Sequence, residues 1–565
     1  MTPDDVLASL DPDQRAVATA PSGPVAALAG AGSGKTRALT HRIAYQVLSG
    51  QVRADRVLPV AFTTRAAGEM AARLRGLGVA EARPRTFHAA ALAQVRFFWP
   101  LVAGGQPPRL LPRKRDRLAE AARTAGFSPT GADLTALGAA IERAKVLQVA
   151  AEDYPAVMAA ADPGDATADR TWSTTEVAAV YAAYESAKEA AGEMDFEDCL
   201  LLAVALLEED ERAAERVRDS YRSFVVDEYQ DVNPLQQRLL EVWLGDRDDL
   251  CVVGDAAQSI YSFTGATPQY LLAFRQRYPT ATVLKLERDY RSTPQIVRSA
   301  NRLLRGSTVL TLRSERSAGP EVAFIEYEDE AAELAGIAEQ LVDRSSAAAG
   351  ESASEAAGAA VLLRTNAQVD RAVEAFLSRG IAVAPSGAER WFNRPEIRRA
   401  LIRLRGLRLT QPDLAAAAAA REALLADGYS EQRPQGSGLE VWSVRTALLR
   451  LADGLGPDAG VDDLITELEY RDEQDAPPPA EGVAVLTLHA AKGLEWESVY
   501  LPSLVDGVMP AAQAKTPEAV AEERRLLYVG ITRARTRLHL SWWTRRGPGA
   551  PDRQRSSFLA DLVAD

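Results

Sequence analysis

The chain is poor in the residues that form disulfides and zinc sites. Its 565 residues include only two cysteines and four histidines. Cys199 and Cys251 lie far apart in apolar surroundings, so we expect inert core thiols of a reducing compartment and a cytoplasmic protein. No cysteine lies near a histidine at zinc-ligand spacing. Since no long uncharged apolar window occurs, we expect neither a signal peptide nor a membrane span.

A surplus of basic charge is also missing. The formal net charge is −13, which argues against a protein that coats nucleic acid through bulk charge. A local basic groove stays compatible with it, because binding depends on the charges that line the path. The composition, with 47% apolar and 25% charged residues, is that of an ordinary soluble protein. A chain of 565 residues exceeds a single hydrophobic core, so several domains are expected.

One stretch, Ala29-Gly-Ala-Gly-Ser-Gly-Lys35-Thr36, is typical of a phosphate-binding loop. The apolar residues 25–28 before it predict a buried strand, and residues 36–48 after it predict a helix. Glycines let the backbone turn its N–H groups toward a phosphate, and a helix N-terminus adds its dipole. The alternative is a glycine-rich turn followed by a chance Lys-Thr pair. The residues assigned here to nucleotide binding are Gly32, Ser33, Gly34, Lys35 for the phosphates, and Thr36 as a ligand of Mg²⁺.

A second apolar run, residues 224–226, leads directly into Asp227 and Glu228. This pattern predicts a buried strand that delivers two carboxylates at its end. Mg²⁺ prefers hard oxygen ligands, and hydrolysis requires a group that orients a water molecule. We assign Asp227 to the metal and Glu228 to the water. Such a pair is common by itself, but beside a phosphate loop it indicates a nucleoside triphosphatase.

Aromatic and hydroxyl side chains follow two other predicted strands. Residues 58–64 contain Phe62 and Thr63, and residues 85–88 end in His88. Ligands bind at the carboxyl ends of parallel strands. Phe62 and His88 can therefore stack on bases or hold a phosphate, although a core position is an equal alternative for Phe62.

A further strand and loop, residues 250–265, carry Gln258, Tyr261 and Phe263. Gln258 can contact the γ-phosphate, and the two rings can form stacking platforms for bases. Paired aromatic residues are more often core residues, but the polar, glycine-containing loop favours exposure here.

Three residues near these motifs are weaker candidates. Gln14 precedes the phosphate loop, and an amide can pair with an adenine edge. A surface glutamine is the alternative. Tyr290 can stack on a base, and Arg291 can reach a phosphate.

Taken in order, these motifs resemble the UvrD/PcrA/Rep family of superfamily 1 DNA helicases. Three later segments strengthen the resemblance, namely residues 363–368, 483–496 and 522–534. The resemblance implies an α/β fold of two RecA-like parallel-sheet lobes, each with a mainly helical insertion, and ATP between them. The implied domains are 1–90 and 195–283 for the first lobe, 91–194 for its insertion, 284–390 and 481–565 for the second lobe, and 391–480 for a reduced second insertion.

The resemblance also implies roles for individual residues. Gln14 would read adenine, Tyr290 would stack on it, and Glu495 would hold the ribose. The residues that would sense or stabilise the γ-phosphate are Gln258, Arg37, Arg291 and Arg533. The residues that would lie near the DNA path are Phe62, Thr63, His88, Tyr261, Phe263, Thr487 and His489.

The function implied is ATP- and Mg²⁺-dependent movement 3′ to 5′ on single-stranded DNA with duplex unwinding, in DNA repair. Expected partners are single strands, single-strand/duplex junctions and repair proteins, with the enzyme a monomer or weak dimer. The chain departs from the family pattern at Thr264, where an arginine is usual, and in its short second insertion. These departures leave open a translocase that displaces proteins and unwinds poorly. The motor subunit of a larger complex is a further alternative.

Overall fold

A computed structural model describes the chain at residues 1–111, 113–161, 172–307, 310–347, 358–384, 388–432, 434, 438–456, 459–473, 482–547 and 551–563. It divides into two compact units: Met1–Ala29 with Lys35–Leu286, and Gly30–Gly34 with Glu287–Asp565. The proline-rich sequence Asp475-Ala-Pro-Pro-Pro479 predicts a linker, and it lies outside the described residues.

The first unit is built on a six-stranded sheet in which all pairs are parallel. Its strands are β1 (Val25–Ala29), β2 (Val57–Ala61), β3 (Arg85–Thr86), β6 (Ser223–Val226), β7 (Leu250–Gly254) and β8 (Thr282–Leu286), and a separate short pair is β4 (Arg109–Leu110) with β5 (Glu193–Met194). The order across the sheet is β3-β2-β6-β7-β1-β8. Because β8 pairs with β1, the first sheet extends through Leu286.

The helices of the first unit are α1 (Pro3–Ala8), α2 (Pro12–Thr19), α3 (Lys35–Leu48), α4 (Thr64–Gly76), α5 (Phe87–Val102), α6 (Lys114–Thr124), α7 (Gly131–Val146), α8 (Tyr154–Ala161), α9 (Thr174–Ala191), α10 (Phe196–Glu209), α11 (Glu211–Ser220), α12 (Pro234–Leu244), α13 (Gln269–Leu272) and α14 (Phe274–Arg277). Helices α6 to α9 share a small apolar core of their own. His88 lies in the first turn of α5, so the prediction that it ends a strand is wrong; the Thr86 hydroxyl caps the helix and begins it one residue earlier.

The first sheet is buried on both faces, because its strands are almost wholly apolar. Successive residues enter opposite cores: Phe224 and Val226 pack with α5, α10 and α12, whereas Val225 packs with α3 and α4. Both cysteines are buried free thiols, as expected, and burial raises the pKa of Cys199 to about 11. A parallel sheet covered in this way presents its carboxyl edge to ligands.

The second unit contains another six-stranded sheet with only parallel pairs, in the order β11-β16-β15-β12-β14-β13. The unit begins with a separate pair of short strands, β9 (Arg288–Asp289) and β10 (Arg313–Ser314). The strands of the six-stranded sheet are β11 (Ala323–Asp329), β12 (Ala359–Leu363), β13 (Val383–Ala384), β14 (Val483–Thr487), β15 (Trp496–Leu501) and β16 (Ala534–Arg545). Two parallel sheets covered by helices confirm the predicted α/β class with two RecA-like lobes.

The helices of the second unit are α15 (Pro294–Leu303), α16 (Glu330–Ala347), α17 (Asn366–Leu377), α18 (Ala388–Asn393), α19 (Pro395–Thr410), α20 (Ala416–Leu425), α21 (Gly438–Gly454), α22 (Val461–Glu473), α23 (Pro517–Ile531) and α24 (Phe558–Val563). Helices α16 and α17 pack on the sheet, and α18 to α22 form a core of their own. None of the helices described in either unit is long and apolar enough to span a bilayer.

Candidate functional site

The phosphate loop joins β1 to α3, as the flanking sequence predicts. β1 ends at Ala29, and α3 begins at Lys35. Between them, Gly32 and Gly34 have φ angles of +70° and +77°, a region that residues with a Cβ rarely adopt. The Ser33 hydroxyl donates a hydrogen bond of 2.7 Å to the Gly30 carbonyl. The loop therefore requires glycine at two positions for backbone reasons alone.

Two side-chain pairs connect the start of α3 to the end of β6. Lys35 Nζ lies 3.1 Å from Glu228 Oε2, and Thr36 Oγ1 donates a hydrogen bond of 3.0 Å to Asp227 Oδ2. Burial favours the neutral amine of Lys35, but the carboxylates of Glu228, Asp255 and Asp227 outweigh this effect and raise its pKa. Lys35 is therefore a cation at neutral pH, held among carboxylates.

Asp227 and Thr36 have the chemistry of a magnesium site. Burial, together with the neighbouring charge of Glu228, raises the pKa of Asp227 to about 6. A carboxylate and a hydroxyl 3.0 Å apart are hard oxygen donors of the kind that Mg²⁺ prefers. A bound divalent cation stabilises the ionised carboxylate, which reverses the effect of burial on the pKa. The residues present therefore fit this metal.

Gln230 and Asp255, which had no role assigned from the sequence, hold the carboxylate pair Asp227–Glu228 in position. Glu228 has a left-handed backbone with a φ of +51°, and the Gln230 amide donates to Glu228 Oε2 at 2.5 Å. Gln230 Oε1 accepts the N–H of Asp255 at 2.9 Å, and Asp255 Oδ2 accepts a 2.7 Å bond from Gln258 Nε2. The pattern that located Asp227 could also have located Asp255, because Asp255 directly follows the apolar strand β7 as Asp227 follows β6.

Gln14 and Arg37 lie beside the N-terminal helices. Asp11 caps α2 by accepting hydrogen bonds from the N–H groups of Asp13 and Gln14 at 2.7 and 2.9 Å. Gln14 is 4% exposed, so the alternative of a surface glutamine is wrong. The Arg37 guanidinium donates a 2.8 Å bond to the carbonyl of Ser9, directly after α1.

In the second unit, Arg291 and Arg535 both form ion pairs with Glu495. Burial alone would raise the pKa of Glu495, but the two guanidinium groups outweigh it and lower the pKa. The structure therefore brings together Arg291 and Glu495, two residues for which the family resemblance implies roles at the nucleotide. Tyr290, next to Arg291, is 44% exposed.

Arg533 is held by backbone groups of the second unit. It is 2% exposed, and its guanidinium donates to the carbonyls of Val529 and Leu494 at 3.0 and 3.1 Å. Leu494 is adjacent to Glu495, so these contacts attach Arg533 to the same segment of chain.

Three aromatic rings of the first unit form a continuous row, which we call the aromatic row: Phe62, Tyr261 and Phe263. Phe62 and Tyr261 are stacked, with ring centroids 5.7 Å apart and planes at 13°. Tyr261 meets Phe263 edge to face at 6.0 Å, and Phe263 is 62% exposed. A fully core position is therefore wrong for these residues, of which none is fully buried. Thr63, next to the row, caps α4 by accepting the Ala66 N–H at 3.1 Å.

His88 contacts an aromatic residue that the sequence analysis overlooked. Its ring lies 6.0 Å from that of Phe196, edge to face, and Phe196 is 59% exposed. Burial lowers the pKa of His88, so the imidazole is neutral at pH 7. The sequence did not identify Phe196, because the segment before α10 has no pattern of an apolar strand followed by a loop.

Thr487 and His489 lie at the end of β14 in the second unit. The Thr487 hydroxyl accepts the Ala490 N–H at 3.3 Å. Burial, followed by the nearby charge of Arg364, lowers the pKa of His489. Arg364 in turn forms a forked ion pair with Glu523, with Nη2 and Nε at 2.7 and 3.1 Å from Glu523 Oε1. Arg364 and Glu523 had no assigned role from the sequence.

A glycine loop that runs from a central parallel strand into a helix, with its lysine facing a strand-end Asp-Glu pair, defines a P-loop nucleoside triphosphatase of the RecA-like class. The comparisons with known families agree. The UvrD/REP helicase N-terminal domain matches residues 10–279, and the UvrD-like helicase C-terminal domain matches residues 284–417 and 459–545. The chain belongs to the UvrD/REP helicase family.

Individual relatives match over almost the whole chain. The ATP-dependent DNA helicase UvrD2 of Mycobacterium tuberculosis is 45% identical over 99% of this chain and 82% of that protein. UvrD1 of the same species is 30% identical over 95% and 82%, and the ATP-dependent DNA helicase Rep of Escherichia coli is 29% identical over 98% and 94%.

Proposed function

We propose that this chain, an ATP-dependent DNA helicase of the UvrD type, moves 3′ to 5′ along single-stranded DNA and unwinds duplex at junctions during DNA repair. The observation that supports the proposal is that two groups of assigned residues follow strands at one edge of the same sheet, while the polarity and the repair role are proposed from the family resemblance. The Lys35–Glu228 and Thr36–Asp227 pairs follow β1 and β6, and the aromatic row begins directly after the neighbouring strand β2. Because these strand ends lie at the same edge of the sheet, a change at the bound nucleotide would reach the DNA through a short segment of protein.

The first unit supplies groups for hydrolysis. Lys35 would neutralise the β and γ phosphates, while Thr36 and Asp227 would hold Mg²⁺. When bound, the metal supplies charge that stabilises the transferring phosphoryl group. Glu228, held by Gln230, would orient the attacking water.

The remaining nucleotide roles rest on the family resemblance. Gln14 would recognise adenine, with Tyr290 stacked on the base and Glu495 on the ribose. The ion pairs of Glu495 with Arg291 and Arg535 would then be exchanged for nucleotide contacts. The groups that we assign to the γ-phosphate are Arg37, Gln258, Arg291 and Arg533.

The DNA site would combine the aromatic row with Thr63 and His88 in the first unit, and with Thr487 and His489 in the second. Stacking of bases on exposed rings tolerates any sequence, because every base has a π face. Such a site suits an enzyme that travels along DNA as a monomer or weak dimer, with repair proteins as further partners.

The test compares Lys35→Ala with Arg53→Ala, which removes only an exposed ion pair with Asp55. We expect Lys35→Ala to lower DNA-stimulated ATP hydrolysis by about 10²–10³-fold, the usual effect of losing one group that stabilises the transition state. Arg53→Ala should retain wild-type activity. Hydrolysis by Lys35→Ala at the wild-type rate would remove the nucleotide assignment.

Polarity is tested by strand displacement on duplexes with a 3′ tail, a 5′ tail or blunt ends. Unwinding of only the 3′-tailed substrate is expected. Equal unwinding of the 5′-tailed substrate would contradict the proposed direction.

A second candidate is a translocase that displaces proteins and unwinds poorly. One observation favours it: where the family usually has arginine, the Thr264 hydroxyl donates to the Tyr261 carbonyl at 2.8 Å and closes the turn on itself. Rapid streptavidin displacement from biotinylated single strands, with slow duplex separation, would favour this candidate over the first.

A further inference from the structure

A cluster of buried charges joins the helices α7 and α9 to the start of α10. Lys145 and Lys188 are 1% and 2% exposed. Lys145 Nζ lies 2.8 Å from Asp195 Oδ2 and 2.6 Å from Asp198 Oδ1, and Lys188 pairs with the same two carboxylates. Glu185 lies 2.8 and 2.9 Å from the two ammonium groups. We call these five residues the charge cluster.

Tyr184 closes the charge cluster. Its hydroxyl donates to Asp195 Oδ2 at 3.0 Å, and the ammonium groups of Lys145 and Lys188 lie 5.5 and 4.8 Å from the centre of its ring. Burial alone would raise the pKa of Asp195, but the neighbouring lysines outweigh it and lower the pKa. The acidic groups thus have Lys145 and Lys188 as partners, and Lys114 Nζ also lies 4.0 Å from Asp195 Oδ2, which argues against a metal site here.

The charge cluster is continuous with Phe196. Asp195 and Asp198 form the capping box of α10: Asp198 accepts the Asp195 N–H at 2.8 Å, and Asp195 accepts the Asp198 N–H at 3.0 Å. Phe196 is the first residue of the helix and lies between these two carboxylates in sequence. Its position against His88 therefore depends on how the charge cluster holds the helix start.

The charge cluster is also continuous with the turn that carries Phe263. Val146 follows Lys145 at the end of α7, and its Cγ1 would lie 2.6 Å from a Cβ placed on Gly265. Gly265 has a φ of +84° and ends the turn that holds Tyr261 and Phe263. Lys145 thus fixes the helix end on which this turn rests.

Burial of four charges, those of the two lysines and the two aspartates, is an expensive way to join helices, because desolvation offsets much of the attraction. Apolar residues of similar volume often stabilise a fold as well or better, whereas charges with several partners define one geometry. Both ends of the charge cluster lead to exposed aromatic rings. We propose that Lys145, Lys188, Glu185, Asp195 and Asp198 are positioning residues that set the spacing between Phe196 and the aromatic row for single-stranded DNA. This inference depends on the proposed function, which assigns DNA to the aromatic row and to His88, the residue that Phe196 contacts.

The test uses the full chain with Lys145→Met/Asp198→Asn, which removes one charge of each sign and keeps an oxygen that can accept the capping bond. The matched control is Arg445→Met/Asp427→Asn, which removes a 2.6 Å ion pair between α21 and the turn after α20 in the second unit, together with the 2.9 Å pair of Asp427 with Arg399. We measure melting temperature, ATP hydrolysis without DNA, the single-strand concentration for half-maximal stimulation, and quenching of 2-aminopurine in the strand.

The charge-cluster variant is expected to need at least tenfold more DNA for half-maximal stimulation and to quench 2-aminopurine less. Its hydrolysis without DNA and its maximal rate should stay within twofold of wild type, and the control should match wild type in all DNA readouts. Wild-type half-saturation and quenching in the charge-cluster variant would overturn the proposal.

If the charge-cluster variant does not fold, Val146→Ala decides, because it loosens only the contact between α7 and the turn. A rise of threefold or more in half-saturating DNA is expected, and an unchanged value overturns the proposal. The proposed function and the positioning role are tested separately. Absence of DNA stimulation in the wild type would contradict the proposed function itself, whereas a wild-type response with normal variants contradicts only the positioning role.

Discussion

The charged groups that we assign to the nucleotide in each unit lie at opposite ends of the strands in their own sheets. In the first sheet, Asp227 and Asp255 directly follow β6 and β7 at the carboxyl edge. In the second sheet, Glu495 and Arg533 directly precede β15 and β16 at the amino edge. The sign also differs, because the first edge is acidic around one lysine and the second is basic around one glutamate.

Both arrangements neutralise themselves within their own unit. Lys35 is paired with Glu228, and Glu495 with Arg291 and Arg535. In the first unit, a ligand that carries phosphates and a metal would have to exchange the Lys35–Glu228 pair for its own charges. The comparison of the two edges therefore predicts which substitutions lower the rate of ATP hydrolysis and which change only the stability of the fold.

The largest effect is expected from Arg291→Ala. An arginine that stabilises the transferring phosphoryl group contributes about 10³–10⁵ in rate, so the maximal rate of DNA-stimulated hydrolysis should fall by about 10³-fold or more. Arg535→Ala is the matched control, because Arg535 pairs with the same glutamate. Its rate should change by less than about tenfold, since it has no assigned contact with phosphate. Equal losses in the two variants would assign the effect to Glu495 rather than to a role of Arg291 at the phosphate.

The contrast between the edges also explains which residues the sequence could identify. A polar residue after an apolar strand is a local pattern, and it located Asp227, Glu228 and Thr63. No local rule places an arginine or glutamate before a strand, so Arg533 and Glu495 were found only through the family resemblance.

Other residues were beyond the local patterns for different physical reasons. Lys145 and Lys188 have the sequence character of exposed helix residues, and only the packing of three helices reveals that they are buried. Phe196 similarly depends on tertiary packing against His88. Continuous apolar runs located most strands of the first sheet, but His88 was misplaced because the Thr86 cap begins a helix directly after β3.

A buried carboxyl group in each unit extends the comparison to stability. Asp227 lies where a cation can stabilise its charge, whereas Glu333 of α16 accepts bonds from neutral donors, namely the Ser503 N–H at 3.0 Å and the Ser541 hydroxyl at 2.6 Å. Burial raises the pKa of Glu333 to about 7 from its ordinary value of 4.5. The folded state therefore holds this proton more tightly than the unfolded state.

It follows that the stabilising effect of the Glu333 proton is complete below pH 4.5 and is lost as the pH rises through about 7. Glu333→Gln keeps the acceptor and cannot ionise. Relative to wild type, the variant should gain about 1–3 kcal/mol in unfolding free energy between pH 5 and pH 8. Urea unfolding followed by tryptophan fluorescence measures this difference, because Trp543 donates to the Ser503 hydroxyl at 3.1 Å. A difference that is independent of pH would show that Glu333 is ionised throughout the range.

The smallest effects are expected at the residues that we assign to DNA binding, and they should differ between the units. Removal of one stacking ring weakens binding by about 1–3 kcal/mol, so Phe263→Ala should lower the affinity for single strands by about 5–150-fold. His489→Ala should lower it less, because the lowered pKa leaves a neutral imidazole that makes no charged phosphate contact at pH 7. Fluorescence anisotropy at several salt concentrations measures both variants. Neither should change the slope of affinity against salt, since neither removes a cation. A reduced slope in His489→Ala would show that this histidine binds phosphate as a cation, and the second unit would then hold DNA by charge where the first holds it by stacking.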